Sequence, residues 1–131
     1  TAMTRDEHNR HYRSLRDRLV EGVLDIPGTQ LTGHPEERLA NHASFVIEGV
    51  DGNQLLAALD LQGFACSSGS ACKTGDPEPS EVLLALGIPS SLALGSLRVT
   101  VGRGNTPQQI DSFCQALEQS IQRLRTSQDS A

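Results

Sequence analysis

The residues of this chain best suited to chemistry lie between Ala65 and Ser80, ACSSGSACKTGDPEPS, where two thiols, Cys66 and Cys72, stand six positions apart. The stretch is rich in Ser, Gly and Pro and has neither helical nor strand period, so a core cannot take up its backbone and its side chains are presented to solvent. Three chemistries fit these residue types. Cys72 can act as a nucleophile: a free thiol with pKa about 8.5 keeps a few per cent thiolate near neutrality, and that fraction is strongly nucleophilic. Lys73 beside it favours the anion. Cys66 and Cys72 can form a redox pair, although C-x5-C is neither the C-x-x-C of a dithiol oxidoreductase nor a zinc-knuckle spacing. The Gly/Ser run can cradle a phosphate, but a P-loop needs Gly-Lys-Ser/Thr and Cys72 stands where that glycine would precede Lys73 and Thr74. A polar surface loop with an incidental cysteine accounts for the composition as well as any of these.

A second centre lies some distance on. Ser96 to Gly102 alternates, with Leu97, Val99 and Val101 on one face and Ser96, Arg98 and Thr100 on the other, which predicts a half-buried strand with a cation in the middle of its polar face. Such an arginine is ordinarily a solvated charge. Held on a strand, however, a guanidinium is aimed well enough to grip a carboxylate through two parallel hydrogen bonds. Asn41 and His42, at the entry to another strand, are further candidates for ligand contact, with a turn-closing Asn and an edge His as the plainer explanation. His8 and His11 lie three apart but lack a third metal ligand, which leaves them on a solvated helix face. Cys114 falls in an apolar helical stripe and reads as a small core residue.

The elements that must position these residues are legible around them. Thr4-Arg5-Asp6-Glu7 has the form of a capping box, and Tyr12, Leu15, Leu19, Val20, Val23 and Leu24 then recur at helical spacing until Pro27-Gly28. A short strand is expected at Thr29 to Gly33, a polar connection at His34 to Leu39, and a strand at His42 to Gly49 with Phe45 and Ile47 sharing a face. Asp51, with Gln54 as box partner, starts a helix that Gly63 ends. Phe64 to Cys66 extends into the loop. Pro79 opens a helix running to Gly87, and Ile88 to Gly95 is a connection. Thr106-Pro107-Gln108-Gln109 is the clearest helix start, followed by the stripe Ile110, Phe113, Cys114, Leu117, Ile121 and Leu124, with a frayed tail from Thr126.

Composition bounds the rest. A chain of 131 residues fits one domain, able to bury roughly two thirds of the surface its unfolded form exposes. With three Phe, one Tyr and no Trp, its core must be aliphatic and it has little surface for stacking bases. Eleven basic against sixteen acidic side chains, a formal charge of -5, argue against nucleic-acid binding. No apolar run approaches the ~20 residues of a membrane span and no signal-peptide pattern opens the chain, so a cytoplasmic setting and no membrane partner are expected. Three cysteines without framework spacing fit a reducing compartment.

SSGSAC at Ser67 to Cys72, Glu78-Pro79-Ser80 opening an apolar run, and SLRVTVGRGNT at Ser96 to Thr106 resemble the C-terminal part of the pyridoxal-phosphate-dependent cysteine desulfurases, class V aminotransferase relatives of the NifS/IscS type. The similarity runs in order from about residue 5 to residue 125. The resemblance implies an α/β fold, the small C-terminal domain of a fold-type I enzyme over residues 1–131: a sheet of three or four antiparallel or mixed strands, near residues 29, 44, 65 and 98, with helices on one face. It implies that Cys72, on a mobile loop spanning 67–78, takes a sulfur atom from L-cysteine as a persulfide, with alanine released, for iron-sulfur cluster or other sulfur-compound synthesis. Arg98 would bind the substrate α-carboxylate, with Arg103 as an unassigned neighbour; Asn41, read from its place at a strand entry, is the lesser candidate for contact with the substrate.

By the same resemblance, the cofactor-binding lysine belongs to a large N-terminal domain. Lys73 is the one lysine here, and in the family a small hydroxyl residue usually follows the nucleophile, so no cofactor is expected on this chain alone and it should be inactive unaided. Further implied partners are the missing cofactor domain, a sulfur-acceptor or scaffold protein, and a second copy in a homodimer of the complete enzyme. A free-standing persulfide carrier, or a non-catalytic scaffold domain, remains as an alternative.

Overall fold

The computed structural model describes residues 5–32, 41–59, 64–68, 71–73, 76–78, 81–102 and 104–129, of which 71–73, 76–78, 81–82 and 128–129 are described by their backbone alone. The expected cap at Thr4, the connection at His34 to Leu39 and Arg103 lie outside the described residues, whereas the helix expected to run from Asp51 to Gly63 ends earlier, at Ala58, where the Leu59 backbone becomes extended.

Helix α1 (Arg5–Leu24) buries Leu15, Leu19 and Val23. Arg16, only 9% exposed, packs through its stem on the same side, and its buried Nε has no partner among the described residues. The chain reverses at Gly28, φ +82°, a left-handed conformation that glycine adopts without a Cβ penalty. The Thr29 hydroxyl lies 2.8 Å from the carbonyl oxygens of both Val23 and Ile26 and shares its one proton between them at the helix end. Strand β1 (Thr29–Leu31) pairs with β2 (His42–Ile47).

Helix α2 (Gly52–Ala58) starts at Asp51 as expected, but the carboxylate accepts from the Asn53 amide at 2.8 Å, while Gln54 is exposed. Strand β3 (Ala65–Ser68) follows, then β4 (Ala71–Lys73) and β5 (Asp76–Glu78). Helix α3 (Glu81–Ala85) ends at Gly87, φ +87°, where Gly87 N–H reaches Leu84 O and Ile88 N–H reaches Leu83 O, the paired closure typical of a left-handed C-terminal glycine. A short helix, α4 (Ser90–Ala93), occupies the expected connection, then β6 (Ser96–Thr100) and α5 (Pro107–Asp129). The predicted capping box is present in full: Gln109 Oε1 accepts from Thr106 N–H at 2.9 Å and Thr106 Oγ1 from Gln109 N–H at 3.2 Å. Helix α5 continues through Thr126 to Asp129, where a frayed tail was expected, because Arg125 donates from Nε and Nη2 to the Glu48 carbonyl and ties the last turns to the sheet.

The main sheet has the order β1-β2-β6-β3, every neighbouring pair antiparallel. One face meets α1, α2 and α5 in a single aliphatic core that includes Leu19, Val23, Phe45, Ile47, Leu55, Leu97, Val99, Leu117 and Ile121. Phe64 and Phe113 add a tilted ring pair with centroids 4.8 Å apart. Two glycines permit close approaches. A Cβ on Gly95 would run into the Ile47 carbonyl oxygen, and one on Gly22 would lie 2.6 Å from Cys114 Sγ, where α1 meets α5. The opposite face is polar except at one end, where Val46 is fully buried apart from the main core and α4 packs against β2.

Candidate functional site

Arg98 sits at the centre of β6, the inner strand between β2 and β3. Its neighbours Leu97 and Val99 are fully buried while Arg98 is exposed, so core packing fixes the strand and thereby aims the side chain outward. In the register, Arg98 lies opposite Ser44 on one side and Ser67 on the other; His42, Thr100 and Ala65 form the outward row two residues along. The ion pair found among the described residues, Arg18 with Asp111 at 2.7 Å, is on the α1–α5 surface. There each partner favours the charged form of the other, the hydrogen bond raising the Arg18 pKa and lowering that of Asp111. Among the described residues, nothing pairs with Arg98.

Asn41 stands elsewhere. Its carbonyl accepts from Val101 N–H at 2.8 Å, three residues before Ser44 along the strand, or about 10 Å from Arg98's row. The strand alternation gives Arg98's face to His42 instead. What Asn41 visibly does is hold the end of β2 against β6.

The segment read as patternless contains a two-stranded hairpin, with Ala71 opposite Glu78, Cys72 opposite Pro77 and Lys73 opposite Asp76. Pro77 offers no backbone N–H, which confines it to an edge position, and a lone hairpin is marginal in water. The strand period was unreadable because β4 and β5 have three residues each, too few for alternation to register. β3 ties this hairpin to the main sheet through the pairing of Ser68 with Leu97. Cys72 is five residue steps beyond Ser67, which limits their Cα separation to about 18 Å.

The other cysteines are poor nucleophiles. Cys66, on the core side of β3, and Cys114, facing Gly22, are both half-buried. Burial pushes each thiol up to about 11, the Asp111 charge adding to the effect at Cys114. Each is therefore almost wholly protonated at neutral pH.

The described residues do not fit the role of holding pyridoxal phosphate. The chain's one lysine, Lys73, lies on β4 next to Cys72, and the polar residues that share Arg98's face in the register, Ser44, Ser67, Thr100 and His42, include no amine able to form an imine. No His/Cys/Asp/Glu cluster among the described residues suits a metal ion.

Solved structures share this fold. A NifS-like protein from Rickettsia africae superposes with a TM-score of 0.70 at 24% identity, covering 87% of this chain and 29% of that one; a second NifS-like protein gives 0.67, also at 24%. Sequence places the chain more narrowly. The aminotransferase class-V family model matches residues 1–113, and the chain belongs to that family. It is 44% identical over 120 residues to cysteine desulfurase IscS of Methanosarcina thermophila, 38% over 126 residues to cysteine desulfurase IscS 1 of Archaeoglobus fulgidus, and 41% over 122 residues to the IscS-like cysteine desulfurase of Mycobacterium tuberculosis. These alignments cover 92%, 96% and 92% of the chain, which spans 30–33% of those relatives' length.

Proposed function

We infer that this chain is the small domain of a cysteine desulfurase, carrying the sulfur-accepting Cys72 and the carboxylate-binding Arg98, while the part of the relatives that it does not span binds pyridoxal phosphate. The observation that carries the reading is the outward Arg98, unpaired among the described residues and fixed on the inner strand, with a cysteine-bearing hairpin leaving the adjacent strand one residue past Arg98's row. Family membership supplies the reaction class.

The sulfur chemistry balances without an external oxidant. The Cys72 thiol and the cysteine side chain become a persulfide and a methyl group: an S–S bond forms, the substrate C–S bond breaks, and its electron pair and a proton stay with the carbon, giving alanine. Arg98 holds the carboxylate, so that the substrate sulfur lies in a fixed direction from β6. The hairpin brings Cys72 to that sulfur and carries it on to an acceptor protein. The complete enzyme would work as a homodimer in the cytoplasm. Among the described residues, no helix is long and apolar enough to cross a membrane.

The test is to combine this chain with a separately expressed cofactor-binding part and pyridoxal phosphate. Alanine release from L-cysteine that disappears with Arg98→Ala and with Cys72→Ser supports the reading. Sulfur loading of Cys72 that is indifferent to Arg98 would identify a persulfide carrier instead.

A further inference from the structure

The hairpin that carries Cys72 has two outer edges, and they are not alike. Antiparallel neighbours alternate between pairs that exchange both backbone hydrogen bonds and pairs that exchange none. Cys72 stands opposite Pro77, which has no N–H to give, so this pair is of the second kind and the hairpin is held by Ala71 with Glu78 and by Lys73 with Asp76. The N–H and C=O of Cys72 therefore point away from β5, to the outer edge of β4, and have no partner among the described residues. At the outer edge of β5, Pro77 presents a carbonyl but no donor, which disables that edge as a template for another strand. Neither strand joins the main sheet. The edge of this hairpin that offers both a free donor and a free acceptor is thus the edge at the thiol-bearing residue.

We propose, on the basis of the role given above to Cys72, that the sulfur acceptor docks by adding a strand to β4: an extended, cysteine-bearing segment of a second protein pairs with the outer edge at Cys72. Paired strands lie about 4.8 Å apart and opposite residues have Cβ atoms about 4.5–5.5 Å apart, so an acceptor thiol opposite Cys72 is within reach of a persulfide formed there. The acceptor thiolate attacks the outer sulfur. A new S–S bond forms, the bond to Cys72 Sγ breaks, and the proton given up by the acceptor thiol passes to the departing Cys72 thiolate, with no net oxidation or reduction. A second copy of β4 fits the same edge, but two like persulfides side by side move no sulfur onward, which favours a different protein. A third strand also gives a marginal two-stranded hairpin the support it lacks alone. With three residues in β4 to pair against, the contact is weak and short-lived, as a relay that must release its acceptor requires.

The test uses the full-length enzyme loaded with sulfur from L-cysteine and three thiols: a strand-forming peptide with a central cysteine, the same peptide N-methylated at the two residues on each side of that cysteine, and dithiothreitol. N-methylation leaves the thiol in place and blocks both backbone edges of the peptide. The unmodified peptide should take sulfur from Cys72 about tenfold faster than the methylated one, as expected for losing two backbone hydrogen bonds, while dithiothreitol reports that the persulfide itself is reactive. In Cys72→Ser, which keeps the edge and lacks the thiol, amide hydrogen exchange around residue 72 should slow with the unmodified peptide and not with the methylated one. Equal transfer rates, or equal protection, with the two peptides would overturn strand addition and leave Cys72 as the sulfur carrier. Transfer to the unmodified peptide that falls as enzyme concentration rises would assign the edge to a second copy and overturn it too. If no persulfide forms on Cys72 and none of the three thiols receives sulfur, the role of Cys72 and the inference fall together.

Discussion

The strand that bears Arg98 and the hairpin that bears Cys72 differ in how they are held. β6 pairs on both sides and has a face of fully buried aliphatic residues beneath it, whereas β4 and β5 pair with each other in a sheet of their own. Aiming a guanidinium at a carboxylate requires a fixed direction, which a doubly paired strand supplies. Delivering a sulfur atom to a second protein requires displacement, which a marginal hairpin on a short tether permits. On the proposed function, recognition and transport thus fall on two differently held elements, an inner strand of the main sheet and a hairpin outside it.

The contrast is broken most directly by removing either member from the complete enzyme. Cys72→Ser should abolish persulfide formation while leaving L-alanine binding unchanged. Arg98→Ala should lower kcat/KM by roughly 100-fold or more, the loss of a bidentate charged contact, with Cys72 still reactive toward thiol reagents. A common defect in both measurements for both variants would erase the distinction.

Backbone substitutions sharpen it. Gly95→Ala drives a Cβ into the Ile47 carbonyl just before β6 and should destabilise the body by about 3 kcal/mol or more in urea unfolding, at or above the upper end of what single substitutions ordinarily cost. Pro77→Ala in the hairpin should change global stability by less than about 0.5 kcal/mol.

Thiol titration separates the regions by pH. Cys66 and Cys114 have folded-state values near 11, above those of an unfolded thiol. Between about pH 9 and about 11 the unfolded chain therefore loses protons that the folded chain keeps, so stability is complete below this window and declines with rising pH across it. Unfolding measured across the window should show a shallower decline in Cys66→Ala/Cys114→Ala than in wild type. At pH 7.5, Cys72 should react with a thiol reagent well before the other two. The smallest effect expected is that of Thr106→Ala, about 1 kcal/mol, from losing the cap of α5.

The body was legible in the sequence because its signals are redundant. Leu97, Val99 and Val101 alternate against Arg98, and Thr106, Pro107 and Gln109 mark a helix start by three independent preferences. Where one signal stood alone, the outcome varied. Asp51 capped its helix through Asn53, and α4, with four residues, is too short for a helical period to register. Arg98 was findable because a charge interrupts an apolar alternation.

Full-length enzyme incubated with L-cysteine labelled with 34S, then alkylated, digested and weighed peptide by peptide, should carry one labelled sulfur on the peptide containing Cys72. The peptides containing Cys66 and Cys114 should carry none. Label on either of those two thiols, with none on Cys72, would contradict the account.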